Sequence, residues 1–381
     1  MTDNSKLALT RRGLFAGAAA LGAAGAASSA YAQGDAGGGD DLSVPENGRD
    51  YARVPLKKDV ITVSGIQSRV RAVDGGSPRR GIRDNLRHMV ELIDKAQFYG
   101  GRKDLLCFHE FPITGWSTWS REEVLRIAIE IPGPETEVLS QKAREYGCYI
   151  KFGSYAVDDD WPNHILSITS IIDPTGAVIA RDWKARNIKG VFPGFELFTT
   201  TIYNVLEQYV EMYGADAVIP VPPTDIGNLA TSSVQREPEL FRAMAMKGAE
   251  LFLRTATGGF SLEDIKMCSV YNSVYSVIVN NAVSPNNPGF FDDPVSGDST
   301  IFGPRGEVMA EAGSKFEQAV TTRINMKAFR ARHQIPDVHM ALYKPIFDQY
   351  TPRYRPGLFA DYQPTGLQDA KTYLDAQNAW K

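Results

Sequence analysis

Residues 225–254 read DIGNLATSSVQREPELFRAMAMKGAELFLR, and the punctuation of this stretch decides the architecture. Ile226, Leu229 and Ala230 form a short apolar run between Pro222–Pro223 and the polar triplet Thr231, Ser232, Ser233. That is the pattern of a buried strand running into a turn. Pro238 suits the first position of a helix, where a missing N–H costs nothing. Leu240, Phe241, Met244 and Ala245 then share one helical face, and Gly248 is a C-terminal stop before a second strand. Strand, turn, helix and strand in this order predict an α/β protein. A hydroxyl in such a turn stands at the sheet edge beside unpaired helix N–H groups, a favourable mount for a nucleophile.

Working outward, the same grammar repeats. Residues 60–66 read as a strand, 81–99 as a helix ended by Gly100–Gly101, and 105–108 as a short buried strand delivering His109 and Glu110 to its end. A helix over 136–146 and a strand over 149–154 follow, and later a helix over 262–271 and a strand over 275–280. Residues 167–181 (with SIIDPTGAVIAR) and 299–311 (STIFGPRGEVMAE) resemble each other. Each is a hairpin whose four-residue turn has Pro second and Gly fourth, as turn stereochemistry prefers. From about residue 343 the chain is rich in Tyr, Pro and Asp without a clear period, and reads as an extension that wraps its own domain or a second subunit.

The 381 residues are 43% apolar and 23% charged, enough to bury a large core. Residues 1–32 stand apart: Thr10-Arg11-Arg12-Gly13-Leu14-Phe15, an Ala/Gly-rich run and Ala30-Tyr31-Ala32 read as a twin-arginine export signal. The expected organisation is the signal (1–32), a flexible Gly/Asp-rich linker (33–57), one catalytic domain (58–342) and the extension (343–381). Export implies a periplasmic or secreted protein with no membrane contact once the signal is removed. The net charge of −4, more acidic still without the signal, and the lack of a basic block exclude nucleic acid as a natural partner. Three widely spaced cysteines (Cys107, Cys148, Cys268) do not make a disulfide framework. Five scattered histidines without HExxH spacing offer no metal site, and no Gly-rich phosphate loop calls for a nucleotide cofactor. His333 and His339 are pocket-lining or capping candidates.

Three residues carry the chemistry. Glu110, next to Phe108, Phe111 and Trp116, is placed like a general base whose ionised form is disfavoured by apolar neighbours. Those aromatic residues fit an apolar acyl pocket or plain core equally well. Lys184, after Trp183 at the end of a hairpin strand, is placed to hold an oxyanion as a point charge. Ser232 is the hydroxyl in the turn after the apolar run Ile226–Ala230. Each has an ordinary alternative: a hydrogen-bonded surface Glu, a solvated Lys, a helix-capping Ser.

Taken in order, Glu110 before Phe111-Pro112, Lys184 after its hairpin, and I-G-x-L followed by P-E-x-x-R-x-x-A-x-x-G-A (residues 226–249) resemble the nitrilase superfamily of carbon–nitrogen hydrolases. The resemblance runs from about residue 60 to residue 326 and includes the hairpin GDSTIFGPRG at 297–306. It implies a four-layer αββα sandwich, a homodimer or higher homo-oligomer, and a Glu–Lys–Cys site that needs no cofactor or metal. Glu110 and Lys184 match the first two members. The third departs: counting back from Pro238–Glu239 puts the cysteine position on Ser232, and counting forward from Ile226–Gly227 puts it on Thr231. The second glutamate usual a few residues after the lysine has its nearest counterpart in Glu196, farther along than the common spacing. A hydroxyl in place of a thiol removes the thioimidate route to nitriles and leaves acyl transfer from an amide or ester. The expectation is therefore an exported amidase with a Glu110–Lys184–Ser232 site acting on a small amide. The alternative is an inactive relative that binds a small molecule or a protein in the same pocket.

Overall fold

The computed structural model describes residues 42–45, 47–187, 198–284 and 295–381. The expected export signal and Glu196 lie outside the described residues. The first half contains β1 (Val60–Gln67), α1 (Pro78–Phe98), β2 (Leu105–Phe108), α2 (Arg121–Ile127), β3 (Ile129–Glu130) and α3 (Pro134–Tyr146). It continues with β4 (Tyr149–Asp158), β5 (Trp161–Ile172), β6 (Val178–Trp183) and α4 (Leu206–Tyr213). The second half holds β7 (Pro223–Thr224), β8 (Gly227–Ser232), α5 (Pro238–Met246), β9 (Leu251–Thr255), α6 (Leu262–Asn272) and β10 (Tyr275–Val279). After these come β11 (Thr300–Phe302), β12 (Val308–Glu311), β13 (Gln318–Asn325), α7 (Met326–Arg330), α8 (Met340–Gln349) and α9 (Leu367–Ala376).

Among the described residues the strands form two sheets. The first runs β13-β1-β2-β4-β5-β6, with β3 beside β4, and the second runs β12-β11-β10-β9-β8-β7. In each, the central strands are parallel (β1-β2-β4 and β8-β9-β10) and a hairpin strand is added antiparallel. Parallel strands need both faces covered. Alternation along β2 shows how this is met: Leu105 and Cys107 join the apolar cluster between the sheets, while Leu106 and Phe108 join the cluster under α1 and α3. Along β8 and β9, Leu229, Leu251 and Leu253 point inward, and Ala230 and Phe252 pack with Phe241, Met244 and Cys268 of α5 and α6. The result is the four-layer αββα sandwich, helices outside and two sheets within.

Both elements flanking the decisive turn form as read, α5 with Pro238 in its first turn and Gly248 beyond its end at φ +87°. The strand, however, extends to Ser232, so Thr231 and Ser232 end β8 and do not lie in the turn. Helix α1 starts at Pro78, earlier than the apolar period suggests, because Pro78 and the preceding Ser77 already open it. Tyr51, within the span expected to be a linker, is buried, and its hydroxyl donates to Glu250 Oε1 at 2.8 Å. The C-terminal stretch that shows no period holds α8 and α9, and α8 crosses the expected boundary at residues 342 and 343. Leu358, Phe359, Ala370 and Leu374 pack into the cluster on the outer face of the first sheet. Helix α8 contributes no buried residue at all.

Glu250, at the entry to β9, ties these peripheral parts to the second sheet. It is fully buried and accepts from Arg330 Nε and Nη2 on α7, both at 2.8 Å, from Tyr51 and from the Asn228 N–H of β8. Every carboxylate oxygen is thus used twice, and the pair is a fork matched to a planar guanidinium. Removing one partner of such a pair strands the other charge. Glu250→Ala is expected to lose about 3–5 kcal/mol in urea unfolding at neutral pH. A loss under about 1 kcal/mol would mean that this junction does not hold the two ends of the chain.

Candidate active site

Three strand ends converge on one edge of the sandwich. The end of β2 passes through His109, whose Nδ1 accepts from the Phe111 N–H at 3.2 Å, and this short reversal presents Glu110. Burial, with Lys151 adding to it, pushes His109 down to about 3, so its imidazole is a neutral structural acceptor. Neighbouring β4 contributes an absence: a Cβ on Gly153 would lie 2.3 Å from the Glu110 carbonyl oxygen. Only glycine lets the main chain at Glu110 come this close. The end of β6 delivers Lys184, anchored by its N–H to Ser167 O at 2.8 Å. Lys184 Nζ stands 3.5 Å from Glu110 Oε1, with both side chains about one-tenth exposed (10% and 10%). The two residues that sequence order singles out therefore meet as an ion pair in a nearly dry setting.

The third strand end belongs to the facing sheet. Thr231 and Ser232 are both buried, and successive strand residues face opposite ways. Thr231 faces the space between the sheets and donates to Asp182 Oδ2 at 2.6 Å. Asp182, in β6, lies two residues before Lys184, and burial pushes its carboxyl up to about 7. Ser232 sits level with Arg254 of β9, and its Oγ accepts from the Val234 N–H at 3.0 Å. That leaves the Ser232 proton available for donation.

The loop after Ser232 is clamped from two sides. Arg254, fully buried and stacked 3.9 Å from the Phe241 ring centroid, donates to Val234 O at 2.6 Å and pairs with Asp264 at 3.3 Å. Arg186, two residues past Lys184, pairs with Glu237 and donates to Gln235 O at 3.1 Å. The lysine strand and the serine loop are thus held by the same arginine.

The remaining candidates have structural roles. Phe108, Phe111 and Trp116 belong to the core under α1 and α3, with Phe111 stacked on Tyr155 at 4.3 Å. His333 is buried, stacks on Phe329 at 4.4 Å, and is held down to about 4 by burial, while His339 is exposed. Cys107 points between the sheets and Cys268 packs beneath α6, so neither thiol stands at the strand ends. Sequence reading missed Lys151, a completely buried lysine on β4. The signal was there: in YIKFGSYA a charge interrupts a strand otherwise apolar on both faces. Asp182, at i−2 from Lys184, was open to the same parity argument.

Comparisons with known proteins bear on the family and the fold. A model of the family described as carbon–nitrogen hydrolase matches residues 69–334. Omega-amidases of Xenopus laevis and Xenopus tropicalis are each 26% identical over 262 residues, covering 66% of this chain and 87% of theirs. Among solved structures, a carbon–nitrogen hydrolase from Helicobacter pylori superposes with a TM-score of 0.57 at 15% identity, over 76% of this chain and 99% of that one. A double mutant of the amidase from Nesterenkonia sp. in complex with acrylamide gives 0.55 at 16% identity, over 77% and 100%. At such identities the superpositions speak for the fold alone, and the match over residues 69–334 speaks for descent: the chain belongs to the carbon–nitrogen hydrolase family.

Proposed function

We propose that this protein is an exported amidase that hydrolyses a small amide by acyl transfer through Ser232. The observation that carries the reading is the Glu110–Lys184 pair, 3.5 Å apart and nearly buried at adjoining strand ends of the first sheet. Burying two opposite charges is costly, and a fold has little structural reason to do so at a strand end. The omega-amidase relatives support an amide as the substrate class.

In this reading Ser232 rotates from its Val234 contact so that its hydroxyl donates to Glu110. As Oγ attacks the amide carbon, Glu110 takes the proton and the Lys184 ammonium balances the charge that grows on the carbonyl oxygen. Glu110 returns the proton to the leaving nitrogen, giving an acyl-serine and ammonia or an amine. Water then repeats the sequence and releases the acid. A hydroxyl needs its proton removed in the same step, which a thiol largely avoids, so slow turnover is expected.

A second reading rests on the in-loop hydrogen bond of Ser232. Accepting from the N–H two residues on is the ordinary role of a turn serine. On this view the site binds a small molecule without converting it.

The support for export is the twin-arginine pattern at Arg11 and Arg12 followed by Ala30-Tyr31-Ala32. The support for a homodimer is α8. Its Met340, Leu342, Tyr343, Ile346, Phe347 and Tyr350 are 40–68% exposed, and Pro345 interrupts its hydrogen bonding. A ten-residue helix of this kind does not persist uncovered in water. Six such side chains offer on the order of 600 Å², close to the roughly 800 Å² per partner of a standard interface, and a second copy would bring the same surface.

Against a panel of short-chain amides, the purified protein is expected to release ammonia, and Ser232→Ala to abolish it. Lys184→Ala should lower kcat by about 10²–10³. Ligand-induced stabilisation without turnover, unchanged by Ser232→Ala, would select the binding role instead. Replacing Arg11 and Arg12 by lysine should retain the precursor in the cytoplasm on fractionation; unchanged export would refute the signal. Sedimentation should show a dimer that Leu342→Asp with Ile346→Asp converts to a monomer. A monomeric parent protein that pellets with lipid vesicles would assign α8 to a membrane surface.

A further inference from the structure

Lys151 is the group that the reaction scheme leaves unused. Its side chain is completely buried among apolar residues of the inter-sheet cluster, with Cys107 directly opposite on β2. Leaving an ammonium there costs several kcal/mol, and an apolar residue of similar volume would pack without that cost. What the lysine does with its position is specific. Its Nζ donates to Phe108 O at 2.9 Å, in the last residue of β2, and to Arg254 O at 3.3 Å, on β9 of the other sheet. Phe108 is two residues before Glu110. Arg254 is the register partner of Ser232 and also holds the loop after it. Two residues farther along β4, on the same face, Gly153 leaves the gap into which the Glu110 main chain fits. One strand thus supplies both a donor that fixes the approach to Glu110 and the space that receives it.

We propose that Lys151 is a positioning residue of the Glu110–Ser232 site: its buried ammonium bridges the two sheets at the strand ends and sets both the spacing and the electric field between them. This inference takes from the proposed function only that Glu110 and Ser232 belong to one site. The bridge works because it links main-chain atoms, which move with their strands, and because a buried charge acts in a medium that screens it weakly. The charged and titratable groups around it are Cys107, His109 and Glu110 on the β2 side, Lys184 beyond Glu110, and Arg254 on β9. Burial pulls Lys151 down to about 8, against the opposing pull of Cys107 and Glu110, so the ammonium form prevails at neutral pH and fades above it.

The experiment uses Ser232→Cys in the full-length protein as a reporter that needs no amide turnover. Iodoacetamide incorporation at residue 232 is read by peptide mass mapping, which separates it from the three native cysteines, with the parent protein as the blank. The labelling rate followed from pH 5 to 10 reads the local field. With Lys151 present, half-maximal reactivity is expected below the ordinary thiol range. Adding Lys151→Met should move the profile to higher pH and slow labelling at pH 7 by about tenfold. If Lys151→Met does not fold, Lys151→Gln, which keeps a donor but no charge, is measured in the same way. A superimposable profile with only a change in Tm would show a merely structural lysine and overturn the proposal. A parent protein inert towards amides, yet with a Lys151-dependent profile, defeats the hydrolase reading and leaves this one standing.

Discussion

Two parallel-centred sheets that must each be covered on both faces impose the constraint on which the rest depends. The inner faces meet through Leu105, Cys107, Leu229, Leu251 and Leu253, and the outer faces take helices. Strands of the two sheets are thereby held a fixed distance apart, about 10 Å for packed sheets. Side chains at the strand ends then project from a frame that cannot shear without opening the core. Glu110 and Lys184 share one such edge, and Thr231 near the end of β8 reaches Asp182 of β6 across the two sheets.

Electrostatics at this edge are layered. Nearest the surface, Glu110 and Lys184 neutralise each other at 3.5 Å. Beneath them Lys151 holds carbonyls of both sheets, and beside them Asp182, raised to about 7 by burial, takes the Thr231 hydroxyl. Arg254 and Arg186 grip the loop after Ser232 from its two sides. None of these groups is isolated: each buried charge meets a carboxylate, a carbonyl or a hydroxyl, as burial demands. The serine is the least constrained member, held by one hydrogen bond within its own loop.

Local rules made much of this legible in advance. The strand–helix–strand unit around Ser232, the hairpins with Pro second and Gly fourth, and the period of α1 all follow from φ preferences and apolar spacing. Element edges were less legible. Helix α1 opens at Pro78 because proline fits a first turn, and β8 runs on through Thr231 and Ser232 because β9 supplies hydrogen-bond partners that no local pattern encodes. Helix α9 packs Leu367, Ala370, Tyr373 and Leu374 beside a core cluster assembled from distant segments, a face hidden in a stretch rich in Tyr, Pro and Asp, and α8 buries none of its residues, so no inward face marks it.

By itself the sequence determined the layer architecture and the family and singled out Glu110 and Lys184 as candidates, because period, turn chemistry and motif order are local properties of the chain. Only the tertiary structure decided that those two form a buried ion pair, that the Thr231 hydroxyl is given to Asp182, and that Lys151 reaches carbonyls of both sheets. Such facts depend on which strand ends meet across two sheets. The meeting is set by burial of both inner faces, a property of the whole core.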